Sequence, residues 1–149
     1  MNHKCLYCYQ VILEKGTDFH EKCAKKFFGI AVPPIISFGK EELNLLAQNL
    51  VSRSEVITGV QPKLSLSLEK IDSQNHRLTV VGVLGKYILK PQTSEFEQVP
   101  ENEDLVMKMA EAMGIQTAEH TLIKLKNGEF AYLTKRFDRK DTAKIHQLD

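Results

Sequence analysis

The sequence contains no apolar stretch near the roughly 20 residues that a membrane-spanning helix requires. It also lacks the apolar core of a signal peptide, because residues 1–4 lead directly into Cys5. Basic and acidic residues almost cancel, 20 against 19, so the net charge of +1 provides no general attraction to nucleic acid. We therefore expect a cytoplasmic protein that uses no membrane and binds no nucleic acid directly.

Repeats and low-complexity segments are also missing, and the composition is that of a globular protein. Apolar residues make up 42% and charged residues 26% of the 149 positions. This length suits one ordinary domain, or one modest domain with a small module that is stabilised by a bound metal ion.

No cysteine follows residue 23, and the three that are present form a compact pattern with a histidine. The spacing is Cys5-x2-Cys8, eleven residues, then His20-x2-Cys23. Three thiolates and one imidazole form a tetrahedral ligand set that zinc accepts, so we predict one structural zinc ion. His3 precedes the pattern and is treated as a spectator.

Two other uses of these cysteines are weaker. A redox CxxC pair needs no His-x2-Cys partner, and a disulfide framework would leave one cysteine over. Catalytic zinc is disfavoured because four protein ligands close the site to water. A short helix is expected after His20, with Gly29 as its stop and Gly16 in a turn between the ligand pairs.

The chain divides by pattern into three parts. Residues 1–30 form the zinc-finger-like module, and residues 31–55 contain a stiff proline connector followed by a helix over about 40–51. That helix has an apolar packing stripe consisting of Leu43, Leu46, Ala47 and Leu50. Residues 56–149 form the third part.

The third part alternates between strand and helix patterns. Strands are predicted over 64–69, 78–83, 87–90, 120–125 and 129–135, with a helix over 101–113 between the third and the fourth. Asn127-Gly128 predicts a tight turn between the last two strands. The helix carries an apolar stripe of Leu105, Val106, Met109 and Met113. The fold class is therefore α+β, an antiparallel sheet with one helix after the small zinc module.

Four short motifs occur within this third part in a fixed order. They are Thr58–Lys63 (TGVQPK), Tyr87–Pro91 (YILKP), Glu101–Glu103 (ENE) and Thr134–Arg139 (TKRFDR). Together they resemble the HipA family of serine/threonine kinases, which are toxins of bacterial toxin–antitoxin pairs. The resemblance implies a kinase small lobe.

The resemblance also implies residue roles. Lys90 corresponds to the lysine that contacts nucleotide phosphates, and Glu103 to the helix glutamate that holds it. The implied nucleotide-binding residues are Thr58, Gly59, Gln61, Lys63, Lys90, Glu103, Lys135 and Phe137. Val56 stands nearest to the family's autophosphorylated serine, which leaves Thr58 as the hydroxyl inside the loop. Without the resemblance, Lys90 could simply end a strand and Glu103 could favour a helix start.

The implied cofactors are ATP and magnesium, and the implied partners are a DNA-binding antitoxin and a translation-related protein substrate. The family's catalytic Asp-Gly-His-x-Lys-Asn loop does not occur in the 149 residues, so no catalytic residue is assigned. We expect a segment truncated before the large lobe and inactive alone. Two other functions stay open: a non-catalytic module that pairs with a kinase, and a zinc-finger nucleic-acid binder.

Overall fold

A computed structural model describes residues 3–39, 41–43, 45–46, 63–82, 84–140 and 143–144. Val56, Thr58, Gly59 and Gln61 lie outside these ranges, so their predicted roles stay predictions. None of the helices within the described ranges combines the length and the hydrophobicity that a bilayer crossing needs.

The described residues form an α+β fold around one antiparallel sheet. The sheet consists of β1 (Leu64–Lys70), β2 (His76–Val81), β3 (Tyr87–Pro91), β4 (His120–Lys124) and β5 (Phe130–Lys135). Its strand order is β2-β1-β3-β5-β4, with every neighbouring pair antiparallel. Two helices have both ends within the described ranges, α1 (Glu21–Phe28) and α2 (Val99–Ala112). A short separate pair of strands consists of β6 (Arg139–Lys140) and β7 (Ala143–Lys144).

These elements confirm the predicted order of three strands, a helix and two strands. β2 begins at His76, two residues before its predicted start, and α2 begins at Val99 instead of residue 101. The earlier helix start is explained by Pro100, since proline is well suited to the first helical turn. The tight turn also forms, with Gly128 at φ 86°.

The segment that follows Pro33 and Pro34 lies only partly within the described ranges. Residues 41–43 and 45–46 have helical backbone, whereas Ala47 and Leu50 lie outside the described ranges. Leu43 is buried, as expected for a packing stripe, but Leu46 is partly exposed.

The two faces of the sheet differ, because alternate side chains of a strand point to opposite sides. Tyr87 and Leu89 are buried on one side, which we call the module face, and the register extends it to Leu64 of β1 and Leu133 of β5. Lys90 points to the other side, which we call the helix face.

The N-terminal module (residues 3–30) covers the module face. The ring of Phe27 in α1 lies 5.8 Å from that of Tyr87, and the ring of Phe28 lies 6.1 Å from it. Thr121 of β4 donates a hydrogen bond to the carbonyl of Leu6 at 3.0 Å. Module and sheet therefore share one hydrophobic core.

Helix α2 packs against β4 and β5 on the helix face. Its buried residues are Pro100 and Asp104. The apolar stripe predicted for this helix lies on the surface, with Leu105, Val106 and Met109 each more than half exposed. The helix thus meets the sheet through a partly polar surface.

Candidate functional site

The four predicted metal ligands come together in the N-terminal module. Ligand atoms of Cys5, Cys8, His20 and Cys23 all lie within 4.8 Å of one another. The Nδ1 atom of His20 is 3.4 Å from the sulfur of Cys8 and 3.8 Å from that of Cys23. In a tetrahedron around zinc these nitrogen–sulfur separations would be about 3.6 Å. The cluster can therefore hold a metal ion such as zinc.

The local fold prepares the histidine for this role. His20 stands at the N-cap of α1, and its Nε2–H donates to the carbonyl of Val11 at 3.1 Å. That bond fixes the tautomer and leaves Nδ1 facing the three sulfurs, as is common for histidines that ligate metals. Gly16 and Gly29, both with positive φ, form the predicted turn and helix stop.

The cysteine thiols lie in different electrostatic surroundings. Burial alone would raise the pKa of Cys5, but backbone hydrogen bonds from Cys8, His20 and Tyr7 lower it to about 7. Burial, together with the neighbouring Cys8 and Cys5, raises the pKa of Cys23 to about 12. Without a cation the Cys23 thiol therefore stays protonated at neutral pH, and a bound metal would supply the charge that makes all three sulfurs anionic.

Lys90 and Glu103 form the main charged contact of the helix face. The Lys90 ammonium, from β3, donates to the Glu103 carboxylate of α2, and the two side chains are 21% and 26% exposed. The ammonium also lies 5.4 Å from the centre of the Tyr132 ring on β5. The structure thus joins the two residues that the sequence analysis paired.

Beneath this contact lies a polar network that the sequence analysis missed. His120 of β4 stacks on Tyr132 at 5.7 Å, and its Nδ1 lies 2.7 Å from Asp104 of α2. Asp104 also accepts a hydrogen bond from the Tyr9 hydroxyl. Burial, and then the charge of Glu103, raise the pKa of Tyr132, while burial and Asp104 raise that of Tyr9.

The other predicted nucleotide-binding residues are distributed unevenly. Lys63 directly precedes the Leu64–Leu89 pairing, so it lies at the same end of the sheet as Lys90. The side chain of Lys135 instead lies on the module face, with its ammonium 5.7 Å from the Phe27 ring and 2.5 Å from Glu119. Phe137 is largely exposed.

By the family resemblance, residues 135–137, which include the predicted nucleotide-binding residues Lys135 and Phe137, correspond to the hinge whose backbone groups hold adenine. Two of their N–H groups are already used within the fold: Lys135 donates to the Glu119 carbonyl and Arg136 to the Lys86 carbonyl, each at 2.8 Å. Any adenine contact in this stretch therefore relies on other backbone groups.

Comparison with known proteins gives a family match for most of the chain. A family model described as "HipA-like C-terminal domain" matches residues 56–149. A Haemophilus influenzae protein named "Putative kinase" is 31% identical over 121 residues, which cover 76% of this chain and 33% of that protein. The chain thus spans about a third of the length of the curated relative that it matches.

Proposed function

The chain belongs to the HipA-like C-terminal domain family, and from that membership we propose that it is the ATP-binding small lobe of a protein kinase. The complete kinase would transfer phosphate to serine or threonine hydroxyls of a protein substrate. The observation that carries this proposal is the ion pair between Lys90 of β3 and Glu103 of α2.

The chemistry of phosphoryl transfer explains why this pair matters. Protein kinases place a lysine on the third strand of the small lobe, where it contacts nucleotide phosphates, and a glutamate of the next helix holds that lysine. Lys90 and Glu103 lie on the corresponding elements, and each is partly exposed to solvent. The ammonium is therefore held in place and remains accessible to an anionic ligand.

The surroundings of the pair support the same proposal. Lys63 adds a second cation at this end of the sheet, and the loop over 58–62, with Thr58, Gly59 and Gln61, would cover the phosphates. Magnesium would neutralise the phosphates, and residues 135–137, with Phe137, would border the adenine.

The remaining parts of the proposal concern the whole protein. A catalytic aspartate and metal-binding residues are needed for transfer, so we propose that residues 1–149 alone are inactive. An antitoxin and a translation-related substrate are the proposed partners, and the cytoplasm is the proposed compartment. Residues 1–30, 31–55 and 56–149 are the proposed module, connector and lobe, with structural zinc in the first.

A non-catalytic role is the second candidate. A small lobe that pairs with a separate kinase would keep the same fold and the same family match. A partly exposed ion pair contributes little to the stability of a fold. The accessible Lys90–Glu103 pair is therefore explained better by nucleotide binding than by a purely structural role.

Calorimetric titration with MgATP tests the proposal on the 149-residue chain. We expect binding by the wild type and at least a roughly tenfold loss of affinity in Lys90→Met, because one charged phosphate contact disappears. Lys124→Met is the matched control, since Lys124 also forms an ion pair, at 3.0 Å with Asp18. Absence of wild-type binding, or equal losses in both variants, would contradict the proposal.

A further inference from the structure

We propose that the metal-binding loop positions Glu103 through a contact between Tyr9 and Asp104, so that metal binding orders the nucleotide site. The effect on nucleotide binding rests on the proposed function, whereas the link between the metal-binding loop and α2 does not. Tyr9 directly follows the ligand Cys8, and Asp104 directly follows Glu103. The Tyr9 hydroxyl donates to the Asp104 carboxylate across 95 positions of sequence.

Asp104 is the anchor of helix α2. It is completely buried, and its two carboxylate oxygens accept from Tyr9 and contact His120 Nδ1 at 2.7 Å. A buried carboxylate stays favourable only while such partners are present, so its position is tightly restricted.

The other side-chain contacts of this helix involve partly exposed groups. They are the Lys90–Glu103 pair, Lys108 at 5.0 Å from the centre of the Tyr7 ring, and Glu111 at 3.4 Å from His120 Nε2. Pro100 is the other buried residue of α2, and the apolar stripe that begins with Leu105 and Val106 faces solvent. Successive residues of a helix are separated by about 100° around its axis. The direction in which Asp104 is held therefore determines where the neighbouring Glu103 points.

The metal loop in turn determines where Tyr9 lies. The backbone N–H of Tyr9 donates to the carbonyl of Cys5 at 2.9 Å, inside the loop that carries two ligands. Tyr9 has a φ of 60°, a left-handed conformation that is unfavourable for a residue with a side chain. A metal bound to Cys5 and Cys8 would hold the loop, and with it Tyr9, in this conformation.

The connection also passes from one face of the sheet to the other. β4 is an edge strand, and the module lies on the opposite face from α2. Tyr9 reaches Asp104 beside this edge. Tyr9 and Asp104 are therefore positioning residues, which would act through Glu103 and not on the nucleotide.

Hydrogen exchange of the zinc-loaded 149-residue chain tests the inference without nucleotide. We expect Tyr9→Phe to raise the exchange rates of amides in residues 99–112 by about tenfold, because one bond to a charged group is lost. Tyr7→Phe is the matched control. Tyr7 lies in the same loop, and its ring, which the substitution keeps, lies 5.4 Å from the Lys26 ammonium and 5.0 Å from the Lys108 ammonium of α2. Metal analysis should show one zinc in both variants.

Zinc removal provides the second measurement. Chelation should accelerate exchange throughout the chain, because module and sheet share one core. In the wild type and in Tyr7→Phe the acceleration should be larger in α2 than in β1 and β2, whereas in Tyr9→Phe, where the connection is already broken, this excess in α2 should be absent. Equal protection of α2 in Tyr9→Phe and wild type would overturn the inference. An increase in Tyr9→Phe that is equally large in β1 and β2 would do so too, because it would report global unfolding.

MgATP titration of the same variants separates the two proposals. Tyr9→Phe should bind more weakly than Tyr7→Phe, by about threefold or more, if Glu103 needs its anchor. Wild type that does not bind MgATP contradicts the proposed function, while the exchange result still decides the connection. Unchanged affinity in Tyr9→Phe, with normal wild-type binding, overturns the inference.

Discussion

The two faces of the sheet differ in what covers them. On the module face, Phe27 and Phe28 pack on Tyr87 in a buried apolar layer. On the helix face, α2 meets the sheet through the partly exposed Lys90–Glu103 pair and the buried His120–Asp104 contact. One face supplies most of the burial that stabilises a fold, and the other holds the charged groups that could bind a ligand.

This division changes the interpretation of the metal cluster. The sequence suggested an accessory finger beyond two prolines, whereas the same residues supply the apolar cover for the sheet. A metal ion that folds the module would therefore stabilise the sheet as well. Variants of the two faces should separate stability from ligand binding.

The largest expected effect is the loss of a metal ligand. Cys5→Ser should abolish zinc binding and destabilise the chain by more than about 5 kcal/mol, because structural zinc sites contribute that much or more to folding. Metal analysis and urea unfolding measure the two effects. His3→Ala is the control, since His3 Nε2 hydrogen-bonds the Thr17 carbonyl at 2.8 Å and is not among the four ligands. Full zinc content in Cys5→Ser would contradict the assigned ligand set.

The second prediction tests whether the module and the sheet form a single hydrophobic core that unfolds as one unit. Phe27 is completely buried, so Phe27→Ala should reduce the free energy of unfolding by about 3–5 kcal/mol. Urea denaturation should still show one transition, because module and sheet share the core. Phe96→Ala, at an exposed position, should change the free energy by about 0.5 kcal/mol or less. Two separate transitions in the wild type would show that the faces fold independently.

The features that were predicted best from the sequence are those that depend on residues close together along the chain. The ligand spacing around Cys5 and His20 and the turn at Asn127-Gly128 are local patterns, and the structure contains both. The strand predicted from alternating leucines forms as β1, although Ser65 is buried together with Leu64 and Leu66. The pairing of Lys90 with Glu103 came from the family resemblance, and the structure joins these residues as well.

Long-range contacts were less predictable. An apolar stripe on α2 indicated a helix, but did not reveal that Asp104 would be buried and Leu105 exposed. The partners of Asp104 are Tyr9 and His120, which lie far from it in sequence and become neighbours only after the sheet forms. Likewise, no local pattern specified which face of the sheet the module covers.

The smallest effect on stability is expected at the helix face. Glu103→Gln should change the free energy of unfolding by about 1 kcal/mol or less, because both partners of the pair stay partly hydrated and the volume is kept. The same variant should weaken MgATP binding, since the Lys90 ammonium loses its anionic partner. Glu69→Gln, which breaks the exposed pair with Arg77, provides a control for stability alone. A loss for Glu103→Gln as large as that for Phe27→Ala would mean that both faces stabilise the fold equally, and the division between them would fail.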